Sequence, residues 1–362
     1  MKKKLVAPLA IMAAATLAFS GCAANESGNS SSAGASDANL SGTLTGRGAS
    51  SMRAAQEKWV ADFQTKNPGV TVNYSPDGSG AGREAFTAGA VQFAGSDRAL
   101  KDTEMGAGKF ARCTPESNAL NLPVYISPIA VIYNVQGVKD LKLDADTLAG
   151  IFSGKITKWN DPKIKALNAS ANLPATNITA VHRSDDSGTT NNFTDYLGKA
   201  STVWGQDASD TWPKNFKGEA AKGTSGVVDA VKTGTGTIGY ADESATQGLD
   251  IADLKVGNEF VKPTPEAAAK IVDGSEKVAG RAEHDWALNL NRKAEGAYPA
   301  VLVSYAIVCE DYKDDKDAQL VKSYVGYIAS ADGQKSASES AGNAPLSDKM
   351  AENIKAAIDS IK

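Results

Sequence analysis

The residues with most to offer chemically run from 182 to 190, in the order His182-Arg183-Ser184-Asp185-Asp186-Ser187-Gly188-Thr189-Thr190. Arg183 carries a planar fork of N–H donors that suits a tetrahedral oxyanion. Ser187 and Thr189 add hydroxyl donors, and Gly188 between them lets a ligand come close to the backbone. The flanking sequence says where these groups stand. Residues 178–181 are apolar and β-branched, as a strand should be. Phe193, Tyr196 and Leu197 fall at i, i+3 and i+4, one face of a helix. The turn between them opens that helix, where the first N–H groups lack intrahelical partners and the dipole favours an anion.

Similar turns recur upstream. Residues 44–51 run from a strand into a Gly-rich turn, and Met52, Ala55, Trp59 and Phe63 then follow at helical spacing. Ser50 or Ser51 is the expected N-cap of that helix. Val70, Val72 and Tyr74 alternate as in a strand, and residues 78–82, with Ser79 among them, lead into a further helical segment. Residues 91–93 read as a strand that exits at Gly95-Ser96-Asp97. Three helix starts bearing Ser or Thr, with Arg183, could satisfy a buried tetrahedral oxyanion whose bare oxygens would otherwise carry a desolvation cost. Asp97 is the informative exception, because a carboxylate repels an anion unless the ligand brings a proton. Hydrogen phosphate has one at neutral pH and sulfate has none, so an acceptor at this place would separate the two. Asp97 could instead pair with Arg183 and hold it.

The whole chain bounds these readings. It has 362 residues, 42% of them hydrophobic, enough for one large or two modest domains. Lys2, Lys3 and Lys4 precede an apolar run over 5–19, then Ser20-Gly21-Cys22, the pattern of a secretory leader. A cysteine directly after small residues resembles a bacterial lipobox with Cys22 lipidated, although Phe19 stands where leucine is usual; cleavage at Ala23 or Ala24 is the alternative. No later run approaches the ~18 apolar residues of a membrane span, so residues 1–21 read as leader and 22–39 as a Ser/Gly-rich tether to a lipid anchor. Removing the leader takes three lysines from a formal net charge of −4, leaving −7. So acidic a chain is a poor match for nucleic acid. Cys113 and Cys309 either form a disulfide, as an oxidising exterior favours, or stay as two buried thiols. Two histidines without paired Cys/His spacing give no basis for a metal site or cofactor.

Alternating strands and helices imply an α/β architecture with largely parallel pairing. Residues 122–134 are nearly continuous apolar sequence broken at Ser127-Pro128, as if one strand left a first lobe and another entered a second. The apolar run beginning at Pro299 is the expected return, giving a first lobe over 40–126, a second over 127–298 and a return segment over 299–362.

Several stretches resemble the phosphate-binding protein of the bacterial high-affinity phosphate ABC transporter. They are residues 46–50, 78–82, 93–97, 154–162 (Gly154-Lys155-Ile156-Thr157-Lys158-Trp159-Asn160-Asp161-Pro162), 182–190 and 236–240. The resemblance implies a two-lobed type II periplasmic-binding-protein fold closing on dehydrated phosphate and delivering it, as a monomeric lipoprotein outside the cytoplasm, to a membrane-embedded permease. It also implies phosphate contacts from Ser50, the amide of Ser51, Ser79, Arg183, Ser187, Gly188 and Thr189, with Asp97 accepting the ligand proton. Arg47, Ser51-Met52 and Asp186 depart from the family pattern, Asp186 standing where glycine is common. The competing readings are a binding protein for another oxyanion and a secreted hydrolase or phosphatase with Ser187 or Ser79 as nucleophile. Neither serine lies in a Gly-x-Ser-x-Gly elbow.

Overall fold

The computed structural model describes residues 40–362; the leader, Cys22 and the tether lie outside the described residues. The chain begins β1 (Gly42–Gly48), α1 (Arg53–Lys66), β2 (Val70–Ser75), α2 (Ser79–Thr87) and β3 (Phe93–Ser96). The long β4 (Ala119–Asn134) is followed by β5 (Lys142–Leu143), α3 (Ala145–Phe152), α4 (Pro162–Leu167), β6 (Thr179–Arg183), α5 (Gly188–Ala200), β7 (Glu219–Ala221), α6 (Gly223–Thr233) and β8 (Thr237–Asp242). Short strands β9 (Asp250–Ile251), β10 (Asp253–Val256) and β11 (Glu259–Val261) precede α7 (Pro265–Asp273), β12 (Glu276–Lys277) and β13 (Leu288–Asn289). The chain closes with β14 (Val301–Cys309), α8 (Asp315–Ala329), α9 (Ala331–Ala341) and α10 (Asp348–Ser360).

The main strands run in the order β2-β1-β3-β14-β4-β8-β6-β7. β4 joins the two ends of that order. Its residues up to Pro128 pair with β14, and from Ile129 onward it pairs with β8. Residues 119–134 are therefore one strand and not the two expected either side of Ser127-Pro128. Proline tolerates extended backbone but cannot donate to a ladder, so it sits where the strand changes partners. Ile129, the next residue, donates its N–H to Ala300 O.

Pairing is mixed rather than largely parallel. β1 runs parallel to β2 and β3, and β6 to β7 and β8, but β14 is antiparallel to β3 and β4, and β4 to β8. The strands that leave one half and return to it run against their neighbours, which a local period cannot reveal.

Each half has its own aromatic core. Phe63, Phe93 and Tyr324 meet with ring centroids 5.1–5.6 Å apart in the first half. Phe152, Phe193, Trp212 and Tyr240 meet at 4.3–5.9 Å in the second. Buried rings of this size each contribute roughly 1.5–3 kcal/mol and fix the strand ends from which the site is built. Cys113 and Cys309 are bonded, with Cα atoms 5.3 Å apart, tying the β3–β4 connection to the end of β14.

Candidate anion-binding site

Asp97 follows β3 directly and is 2% exposed. Its carboxylate accepts three hydroxyls, Ser51 at 2.6 Å and Ser304 at 2.8 Å on Oδ1, and Thr189 at 2.8 Å on Oδ2. Ser51 lies in the β1–α1 turn and Ser304 in β14, both in the first half, whereas Thr189 lies in the first turn of α5 in the second. The Asp97 backbone is held as well, its N–H donating to Ser79 Oγ at 3.1 Å and its carbonyl accepting from Asn192 Nδ2. Each carboxylate oxygen of this buried side chain therefore accepts at least one hydroxyl.

The remaining serines share one arrangement. Ser79 Oγ accepts from Asp97 N, Ser187 Oγ caps α5 by accepting from Thr190 N at 3.1 Å, and Ser50 Oγ accepts from Thr224 N at 3.1 Å. A hydroxyl that has accepted an N–H still has its own proton to give. Ser50 can direct it to Thr224 Oγ1, 3.0 Å away, or to a ligand. Four helix starts thus converge here, because α6 brings Thr224 beside Ser50.

Two sequence-based expectations are corrected. Neither Ser50 nor Ser51 caps α1; that position is Met52, with no side-chain cap, since the two serine hydroxyls turn to Thr224 and Asp97 instead. Nor does Arg183 pair with Asp97. Its Nε and Nη2 grip Asp185 at 2.8 and 2.5 Å, and Asp185 is fixed from its other side by Gly223 N at 3.0 Å. Burial alone would raise the Asp185 carboxyl, but the hydrogen bond and charge of Arg183 outweigh it and hold the pKa below the ordinary carboxylate value. Arg183 Nη1 is left facing Thr189 Oγ1 at 3.5 Å.

The closeness of the two halves depends on glycine. A Cβ on Gly188 would lie 2.7 Å from Ser79 Oγ and 2.8 Å from Asp97 Cβ, so no other residue fits without separating α5 from β3. Ser51, Ser79, Asp97, Arg183, Gly188 and Thr189 are thereby linked in one set of contacts, with Ser187 capping the same helix and Ser50 reaching in from the β1–α1 turn.

Of the departures, Ser51 and Met52 are buried, Ser51 on Asp97 itself, whereas Arg47 and Asp186 lie toward the rim. Arg47 pairs with Asp77 at 2.9 Å with its side chain 43% exposed, and Asp186 Oδ1 accepts from Arg83 Nη2 at 2.8 Å. Sequence reasoning missed Thr224, Ser304 and Asn192. The turn at Gly223-Thr224-Ser225 carried the same signal as the others, and a serine amid the wholly buried β14 was a second. Asn192 offered none. Among the described residues no three His, Cys, Asp or Glu side chains are grouped to hold a metal, and no helix is long and apolar enough to cross a membrane.

Residues 33–332 match the PBP superfamily domain. Phosphate-binding protein PstS 3 of Mycobacterium tuberculosis is 35% identical over 370 residues, spanning 98% of each chain. This chain belongs to the PstS family. PstS of Methanocaldococcus jannaschii is also 35% identical, over 302 residues covering 77% of this chain and 76% of that one. The solved structure of a phosphate-binding protein from Stenotrophomonas maltophilia superposes with a TM-score of 0.67 at 20% identity, across 87% of this chain and 94% of that one. The fold is accordingly the two-lobed α/β fold of periplasmic binding proteins.

Proposed function

We propose that this protein binds inorganic phosphate between its lobes and delivers it to the permease of an ABC transporter outside the cytoplasm. It acts as a monomer held to the membrane by a lipid on Cys22, and catalyses no reaction. The observation that carries this reading is Asp97, a buried carboxylate placed amid donors of the kind an anion needs. Ser51 and Ser304 occupy Oδ1, and Oδ2 meets only Thr189 among the hydroxyls described. A P–OH group takes the place of Thr189 on Oδ2, and the Thr189 hydroxyl turns to a phosphate oxygen. Ser50, Ser79, Ser187, the amides of Ser51, Gly188 and Thr189, and Arg183 supply the other donors. Preformed donors of this kind replace the ligand's hydration shell with little rearrangement beyond the turn of the Thr189 hydroxyl.

Sulfate at neutral pH has no proton for Oδ2, so it would set lone pairs against the carboxylate. A hydrolytic role finds no support in the geometry. His182 Nδ1 lies 3.0 Å from Arg183 O and its ring stacks on Trp212 with centroids 4.8 Å apart, so it is not a base for Ser187. Calorimetric titration of phosphate-stripped protein tests the proposal. One phosphate per chain is expected, undisturbed by excess sulfate; no binding, or displacement by sulfate, overturns it.

A further inference from the structure

We infer that Asp186 and Asp210 are positioning residues that clamp the lobes together by reaching across the cleft rim to a cation cluster on the first lobe, and so set how slowly the ligand leaves. The inference uses the phosphate reading only for the choice of ligand.

On the first lobe, Arg83 from α2 stands with Arg98 and Lys101, which follow β3, and Glu104 is shared between the two guanidiniums. Arg98 takes Glu104 in both hands at 2.6 and 2.8 Å, leaving Arg83 Nε at 3.7 Å from it. Two guanidiniums packed side by side repel, and burial together with the charge of Arg98 pushes the Arg83 pKa down. The second lobe adds two carboxylates to this cluster. Asp186, in the turn before α5, meets Arg83 Nη2 at 2.8 Å. Asp210, in the α5–β7 connection, meets Arg98 Nε at 2.7 Å, Lys101 Nζ at 3.2 Å and Arg83 Nη2 at 3.5 Å.

These pairs are not loose surface contacts. The Arg83, Arg98 and Asp210 side chains are 6%, 10% and 9% exposed, so their attraction is poorly screened while the lobes touch. Asp186 is the more open partner, at 49%, and lines a rim groove of about 690 Å³ with Arg83 and Glu104. The fit extends to the backbone opposite, where a Cβ on Gly80 would fall 2.3 Å from Asp186 Cγ. Both pairs also reach the ligand cage. Ser187 N donates to Asp210 O at 2.9 Å, and Arg83 Nη1 donates to Ser96 Oγ at 2.9 Å, one residue before Asp97. Parting the lobes therefore separates opposite charges and leaves the first lobe with unmatched cations, which favours reclosure.

The experiment measures phosphate association and dissociation rates for the wild type, Asp186→Asn, Asp186→Glu and Asp210→Asn, at about 20 mM and about 500 mM salt, which straddle strong and weak screening. Asp210→Asn is expected to speed dissociation about tenfold or more at low salt, and Asp186→Asn about two- to fivefold. Association is unslowed, Asp186→Glu recovers the wild-type rate, and the wild type itself releases phosphate faster at high salt. Small-angle X-ray scattering without added phosphate supplies a second readout, with a larger radius of gyration expected for the Asp186→Asn, Asp210→Asn double variant. Unchanged dissociation and unchanged scattering overturn the clamp. A wild type that ignores phosphate while the double variant expands sinks the phosphate reading and leaves the clamp standing.

Discussion

Ser304 donates its hydroxyl to Asp97 Oδ1 at 2.8 Å from a strand 207 residues further along the chain. Ser51 donates to the same oxygen, so the two serines pin one side of the carboxylate and turn the other toward α5. The carboxylate is thereby divided into an oxygen that serves structure and an oxygen that tests the ligand.

Replacing Asp97 by Asn puts an amide where the acceptor was, and an amide can donate to sulfate. Phosphate affinity should fall by about tenfold or more and sulfate should begin to compete, as read by displacement titration at neutral pH. Ser304→Ala leaves the carboxylate but frees it to turn, removing a hydrogen bond to a charged group that contributes about 1.5–3 kcal/mol. A similar loss of phosphate affinity in a normally folded variant is the expected outcome. Wild-type affinity in Ser304→Ala would show that Ser51 alone orients Asp97.

Gly188→Ala tests the closeness of the lobes. The added methyl meets Ser79 and Asp97 only when α5 sits against β3, so it should cost the closed arrangement about 1–3 kcal/mol while leaving each lobe folded. Phosphate affinity is expected to drop about 5- to 150-fold with little change in melting temperature. A large fall in melting temperature with affinity intact would mean that the glycine serves folding instead.

What the sequence disclosed about this site was the turns, because glycine, hydroxyl residues and an apolar helical period lie within a few positions of one another. What it hid was where the hydroxyls point. Ser51 before a helix looks the same in sequence whether it caps that helix or, as here, binds an acid 46 residues away. Asn192 donates locally to Gly188 O, but its other partners lie 95 and 100 residues distant, at Asp97 and Arg292, beyond any local pattern. Strand β3 begins at Phe93 and runs to Ser96, later than its apolar signal, because Gly95 carries no side chain to mark a strand. Helix α9 went unread for a related reason. Its Ala337 and Ala341 bury too little to make an apolar stripe, and it is held to α1 by Trp59 Nε1 donating to Gly333 O at 2.7 Å.

The Cys113–Cys309 bond spans 196 residues of chain. Loop closure on that scale restricts the unfolded state by about 5 kcal/mol in the chain-entropy account, with measured effects commonly about 2–5 kcal/mol. Replacing both cysteines by Ala should lower the denaturation midpoint by that order while phosphate affinity is kept, since neither residue touches the cage. Reductant should reproduce the shift in the wild type and leave the double variant unmoved.

Asp242 ends β8 opposite Ile129, where β4 changes partners, and it is fully buried. Burial pushes its carboxyl up to about 7, with the charge of Asp97 adding to the effect against hydrogen bonds from Ser244, Ser127 and Tyr125. Tyr125 OH donates to Oδ1 at 3.0 Å, whereas Oδ2 has no partner among the described residues. The folded protein therefore holds a proton that the unfolded chain gives up near pH 4, so this group lowers stability progressively as pH rises from about 4 to about 7. Above that window the loss is complete, at a few kcal/mol. Asp242→Asn keeps the shape and cannot ionise, so it should raise the denaturation midpoint at pH 8 and change little near pH 4. Asp185, Asp210 and Glu104 have carboxyls held below their ordinary values, and their stabilisation fades in the opposite direction, as pH falls. The difference between variant and wild type cancels those contributions, and a difference that stays flat between pH 4 and 8 would place the titration elsewhere.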